Sequence, residues 1–115
     1  MAKKKTRSKK ARRAAPGGPP TDVTINNPAE DYEITAVPYT CDGTSTAPAG
    51  DAVVSMWYEV DGGGAERIQP PYPAWSFDWD AETVPPNGAH QMIVYACNKS
   101  GIRPSDPRNF STNIP

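Results

Sequence analysis

Ala74-Trp75-Ser76-Phe77-Asp78-Trp79-Asp80 is the stretch that decides the fold class. Trp75, Phe77 and Trp79 fall on one side of an extended chain, and Ser76, Asp78 and Asp80 fall on the other. A period of two with large apolar groups on one face is the signature of a half-buried antiparallel strand. The aromatic side is read as core rather than as a platform for stacking a sugar or a base. The three acids Asp78, Asp80 and Glu82 are read as a wet face rather than a calcium cluster, because no EF-hand spacing surrounds them.

The same grammar extends outward. Residues 52–60 place Val54, Met56, Tyr58 and Val60 on one face and Val53, Ser55, Trp57 and Glu59 on the other. They run into Asp61-Gly62-Gly63-Gly64, a hairpin turn, with residues 66–69 as the returning strand. Pro85-Pro86-Asn87-Gly88 is a turn ahead of residues 90–97, apolar on both faces and therefore central. Asn98-Lys99-Ser100-Gly101 turns the chain toward a last strand over residues 108–114. Residues 23–25 and 32–40 make two weaker strands, with Asp42-Gly43 as the turn that follows; Pro28 and Pro38 mark an edge, a bend or a bulge. The 14 prolines and 9 glycines sit between short apolar segments and leave no room for long helices. Seven short strands with turns at this spacing predict an all-β, Greek-key β-sandwich over residues 21–115.

Charge divides the chain differently. Lys3, Lys4, Lys5, Arg7, Lys9, Lys10, Arg12 and Arg13 give the first 20 residues +8 with no acid. Residues 21–115 hold all 13 acids against Arg67, Lys99, Arg103 and Arg108, so 4 − 13 = −9. A block of like charge without core-forming residues repels itself, so the arm is expected to be disordered, with Pro16-Gly17-Gly18-Pro19-Pro20 as a linker ending at residue 20. The arm lacks the apolar core of a secretory signal, which points to cytoplasmic synthesis. It also lacks the spacing of an amphipathic membrane helix, and the longest mostly apolar run, residues 52–58, is far short of a span. No membrane insertion is expected. The eight basic residues are the candidate anion-binding anchor, with an acidic protein assembly or nucleic-acid phosphate as the partner.

Three further features bear on chemistry. His90 is the lone histidine, too little for a catalytic triad or a zinc site, and Gly62-Gly63-Gly64 lacks the lysine and helix of a phosphate loop. The chain therefore reads as non-enzymatic, with no metal and no cofactor. Trp57 and Tyr72, beside the proline-rich residues 69–73, are the candidates for an exposed aromatic patch. Asn98-Lys99-Ser100 and Asn109-Phe110-Ser111 match the glycosylation pattern but are read as turn and strand residues.

The order of strand, Asp-Gly turn, Trp-Ser strand, Pro-Asn-Gly turn, His-x-x-x-Val-x-Ala strand and polar-Gly turn resembles the bacterial immunoglobulin-like domains. The matching pieces are residues 54–62, 75–79, 86–88, 90–96 and 98–101, within residues 22–115. The resemblance implies an immunoglobulin-like sandwich with a structural, adhesive or spacer role and no catalysis. Small immunoglobulin-like proteins that decorate phage heads share this general character, which points to a virion surface. Cys41, Trp57 and Tyr95-Ala96-Cys97 also resemble true immunoglobulin domains. In such a fold Cys41 and Cys97 end strands that run the same way and finish at one end. A disulfide closing a loop of about 55 residues, worth roughly 4 kcal/mol, is one reading; two free thiols of a cytoplasmic protein is the other.

Overall fold

The computed structural model describes residues 17–115, and the basic side chains Lys3 to Arg13 lie outside that range. The described chain is all-β: β1 (Asp22–Asn27), β2 (Tyr32–Ile34), β3 (Tyr39–Thr46), β4 (Ser55–Val60), β5 (Glu66–Ile68), β6 (Ala74–Trp79), β7 (Gly88–Asn98), β8 (Gly101–Pro104) and β9 (Arg108–Thr112). One sheet has the order β1-β3-β6; the other runs β2-β9-β7-β4-β5, with β8 also paired to β7.

The two sheets close on one core. Trp75 and Trp79 of β6, each 1% exposed, pack with Val23, Ile25 and Cys41 from the smaller sheet against Met56, Met92, Val94, Ala96 and Phe110 from the larger. Aromatic contacts cross the gap: the Trp79 and Phe110 rings lie 5.6 Å apart, and Phe77 stacks on Tyr58 at 4.1 Å. Ring pairs of this kind add about 0.5–1.5 kcal/mol beyond area burial. The indole N–H of Trp79 donates to the Tyr58 hydroxyl at 3.1 Å, so this deep indole keeps a polar partner. That of Trp75 is the buried side-chain polar atom left without one among the described residues.

Gly43 overturns one expectation. Asp42-Gly43 is not a turn but the middle of β3, with Asp42 opposite Ser76 and Gly43 opposite Trp75. A Cβ on Gly43 would lie 1.9 Å from the carbonyl oxygen of Thr24 and 2.4 Å from the Trp75 ring. The glycine is there because the indole lies across the strand, a close approach that only a missing side chain permits. Residues 32–40 likewise do not form one strand. Pro38 has no N–H and restricts the residue before it; the chain leaves β2 in the larger sheet and enters β3 in the smaller.

β7 is central, as its two apolar faces require, between β4 on one side and β8 and β9 on the other. β8 was not expected from the sequence. It and β9 are two halves of one return along β7, broken at residues 105–107. Ser105 bridges the break: its N–H donates to the Val94 carbonyl at 2.7 Å, and its hydroxyl accepts the Val94 N–H at 3.0 Å. A side-chain oxygen thus stands in for a strand carbonyl where the pairing with β7 is broken.

Candidate functional site: the pole where the arm joins

Antiparallel pairing of β1 with β3 puts residues 17–21 beside the end of β3, since Asp22 pairs with Thr46. The loop of residues 47–54 and the β7–β8 turn converge on the same end. Asp51 sits at the centre, its side chain 4% exposed. One carboxylate oxygen accepts the Gly18 amide at 2.7 Å and the Ser100 hydroxyl; the other lies 3.7 Å from the Lys99 ammonium. The Gly18 amide, then Ser100, then Lys99 hold the Asp51 carboxyl below the usual carboxylate range. Asn98, 5% exposed, donates to the carbonyls of Gly18 at 2.9 Å and Asp51 at 2.8 Å. Its own amide oxygen accepts the N–H groups of Ser100 and Gly101 and shapes the turn. Gly101 adopts φ +154°, and a Cβ there would meet the Pro19 ring at 3.2 Å.

The linker therefore belongs to the domain from Gly18 onward, and the boundary expected at residue 20 moves. Pro20 is fully buried, and Gly18 is clamped by two side chains from distant parts of the chain. Residues 1–16 join the described domain at this pole. Beside the clamp, Ala47, Pro48, Ala49, Ala52, Val53 and Pro73 line a largely apolar cleft of about 400 Å³. Val54, 62% exposed, lines a separate cleft with Gly50, Asp51, Ala52, Asn98 and Lys99.

The opposite pole has another character. Asp61, Glu66, Asp80 and Glu82 lie in the β4–β5 hairpin and the turn after β6, and residues 61–66 and 80–88 contain no Lys or Arg. Asp61 accepts His90 Nδ1 at 2.6 Å and the Gln91 amide at 2.8 Å. The His90 contact leads in holding the Asp61 carboxyl below its ordinary range. The other His90 ring nitrogen faces the Pro86 carbonyl, so one nitrogen pins this hairpin to β7 and the other holds the turn ahead of β7. Asp80 accepts the amides of Glu82 at 2.8 Å and Thr83 at 2.9 Å, and Asp78 accepts the Thr40 hydroxyl at 2.6 Å. Among the described residues no three His, Cys, Asp or Glu side chains are grouped to share a metal ion.

One sequence expectation is corrected, and of the two cysteine readings the structure shows free thiols. Tyr72 is 6% exposed, its hydroxyl donating to the Ile68 carbonyl at 3.1 Å and accepting from Arg67 at 3.3 Å, so it cannot belong to an exposed patch. Trp57 instead lies half-buried on the outer face of the larger sheet, where it stacks on Tyr95 with centroids 6.3 Å apart. The Cys41–Cys97 disulfide is absent, and both thiols are free. Alternation along β7 turns Met92, Val94, Ala96 and Asn98 inward and Tyr95 and Cys97 outward. Cys41 points into the core, where burial pushes its thiol pKa up. It also stands near the start of β3, whereas Cys97 is near the end of β7. The tyrosine and cysteine that suggest an immunoglobulin pattern thus sit one register position off it.

Asp51, Asn98, Ser100 and Gly18 were not singled out as site residues by sequence reasoning. The signal available was the Asn-Lys-Ser-Gly turn; nothing local links it to Asp51 or to Gly18, 80 residues away.

No family model and no curated protein matches the chain. Among solved structures it is similar to the endo-β-1,4-mannanase from Thermotoga petrophila, with 15% identity over 83% of this chain and 20% of that one, at a TM-score of 0.65. It is also similar to an engineered protein, with 20% identity over 93% of this chain and 22% of that one, at a TM-score of 0.60. The chain spans about a fifth of the length of each. At these identities the likeness defines the all-β fold and nothing further. Among the described residues no helix is long and apolar enough to cross a membrane.

Proposed function

We propose that the chain is a non-enzymatic structural or adhesive module carried on a larger assembly and held there by its basic N-terminal arm. The observation that carries this reading is the match between charge and geometry. The sequence puts +8 in the first 16 residues and −9 in the rest, and the Asp51–Asn98 clamp fixes where the first part leaves the second. A tether with a fixed exit is what an anchored display module needs. The order β1-β3-β6 against β2-β9-β7-β4-β5 supports the immunoglobulin-like resemblance. Commitment of both His90 nitrogens to structural contacts supports a non-catalytic role. A phage virion is the setting favoured by that resemblance, with the arm in an acidic recess of the shell and the acidic body outward.

The alternative is a nucleic-acid-associated protein whose arm grips phosphate while the domain recruits a partner. Against it stands the −9 body, which a duplex would repel. Fluorescence anisotropy with duplex DNA over a salt series separates the two, using the full chain and a variant with Lys3, Lys4, Lys5, Arg7, Lys9, Lys10, Arg12 and Arg13 all changed to Gln. The anchor reading expects no binding at ~0.15 M salt. Tight binding that is lost in the variant, with log K falling against log salt at a slope near about −7, overturns it in favour of the nucleic-acid reading.

A further inference from the structure

The contacts of His90 fix its protonation as well as its place. Its side chain is 9% exposed and is met from three elements. Nδ1 lies 2.6 Å from a carboxylate oxygen of Asp61 in the β4–β5 hairpin, and Nε2 lies 2.5 Å from the carbonyl oxygen of Pro86 in the turn ahead of β7. The hydroxyl of Thr112 in β9 is 3.4 Å from Nε2, but it donates its single proton to the same Pro86 carbonyl at 2.6 Å. Every polar atom facing a ring nitrogen is therefore an acceptor. A neutral imidazole has one N–H and one bare nitrogen. Only the imidazolium makes both contacts as hydrogen bonds; the neutral ring sets a lone pair against an oxygen at one of them.

Which contact fails on loss of a proton follows from the charges around the ring. The Asp61 carboxyl is held below the usual range, first by His90 and then by the Gln91 amide. It therefore stays ionised across the range of about pH 5 to 8 in which histidine changes charge. A hydrogen bond to a carboxylate is stronger than one to a neutral carbonyl, so the remaining proton stays on Nδ1. Glu66 on β5 and Tyr58 on β4 are the other ionisable groups that share a cleft with His90. Glu66 adds negative charge on the hairpin side, and burial pushes the Tyr58 hydroxyl up and keeps it neutral. Asp80 and Glu82 precede the turn without lining the cleft, and Phe110, 5.4 Å from the imidazole, and Thr112 carry no charge. Residues 61–66 and 80–88 contain no Lys or Arg, and Arg67 is engaged with Tyr72.

We propose that His90 is a proton-operated latch between the turn of residues 85–87 and the sheet. The imidazolium holds Asp61 and Pro86 at once, and the neutral ring keeps Asp61 and lets Pro86 go. Pro85 and Pro86 form one wall of the cleft of about 310 Å³ that also takes in Tyr58, Asp61, Glu66 and Trp79, so release loosens that wall. The turn lies outside both sheets, and the Asn87 side chain still bonds the Ile114 backbone at 2.8 and 2.9 Å. The change is therefore local, and the sandwich stays intact.

NMR on the full-length chain tests the latch, because its lone histidine gives a single pair of ring ¹⁵N signals. As pH is raised from about 5 until the ring loses a proton, it should pass from both nitrogens protonated to Nδ1 alone. The carbonyl ¹³C signal of Pro86 should shift with the same midpoint, and the Gly18 amide at the other pole should not follow it. Asp61→Asn keeps the shape of the side chain but puts an N–H₂ donor opposite Nδ1. In that variant the neutral ring should carry its proton on Nε2 and keep the Pro86 bond, so the carbonyl shift should vanish from the titration. His90→Gln, with no titrating ring, should hold the Pro86 signal constant over the same range. The latch is overturned by a wild-type ring already neutral at about pH 5, or by a neutral wild-type ring protonated on Nε2. A Pro86 carbonyl that stays fixed while the ring titrates, or an Asp61→Asn variant that titrates as wild type does, overturns it equally.

Discussion

The two poles of the sandwich are each organised by one aspartate, and they differ in what that aspartate holds. Asp51 is 4% exposed at its side chain and ties together pieces of chain 33 and 49 residues away, including the start of the linker. Asp61 is 50% exposed and ties a hairpin to the neighbouring strand. Both carboxyls are held below the ordinary range by hydrogen bonds. The first cluster fixes the start of the linker at Gly18, ahead of the buried Pro20, and the second tightens a turn the sheet already defines. A buried carboxylate is expensive unless its partners are complete, so its presence at the arm pole marks the place where the chain is made to stay.

The largest effect should erase the difference between the poles. Gly43 lies in the middle of β3 under the Trp75 ring, and no side chain fits between that ring and Thr24. Gly43→Val should cost on the order of 3 kcal/mol or more and lower Tm by at least roughly 10 °C, read by circular dichroism. Both poles should loosen together. A wild-type Tm in this variant would mean that the smaller sheet does not pack as described.

Next in size, Asp51→Ala should separate the poles. It leaves the part-buried Gly18 amide without its acceptor and frees the Ser100 hydroxyl, both joined through the buried Asp51 carboxylate. Tm should fall by several degrees, with exchange rising in residues 17–21 and 98–101 and unchanged in 61–66. Asp61→Ala should give the smallest change in Tm, because the half-exposed Asp61 carboxylate is already screened by water. The pH dependence follows from the same groups. A carboxyl whose folded pKa is depressed contributes stability that is complete above its unfolded value of about 3.9 and is lost as pH falls through the folded value. Wild type should therefore hold its Tm above about pH 5 and lose it below about pH 4. In Asp51→Ala that acid loss should be shallower, by the share Asp51 contributes. An acid loss as steep as wild type would remove Asp51 from the explanation.

What the sequence disclosed depended on how local the cause was. The β6 alternation of Trp75, Phe77 and Trp79, the Asp61-Gly62 hairpin and the central β7 are written in nearest neighbours and appear where expected. Gly43 was misread because its cause, an indole from another strand, is not in its neighbourhood. β8 was missed because Pro104 and Pro107 look like loop until the Ser105 side chain is seen to stand in for a strand partner. The half-exposed thiol of Cys97 shows the cost of one register step: the motif was present, but the pleat turned it outward. The clamp was the least legible, since every bond in it but those within the Asn98 turn joins residues far apart in sequence.

The amide of Gly18 is the most direct probe of this arrangement. In the full-length chain at neutral pH, hydrogen exchange followed by NMR should find that amide protected well above an unstructured peptide, with protection lost in Asp51→Ala. Exchange of Gly18 at the rate of a free glycine-rich segment would contradict a fixed exit for the arm, and with it the distinction between the two poles.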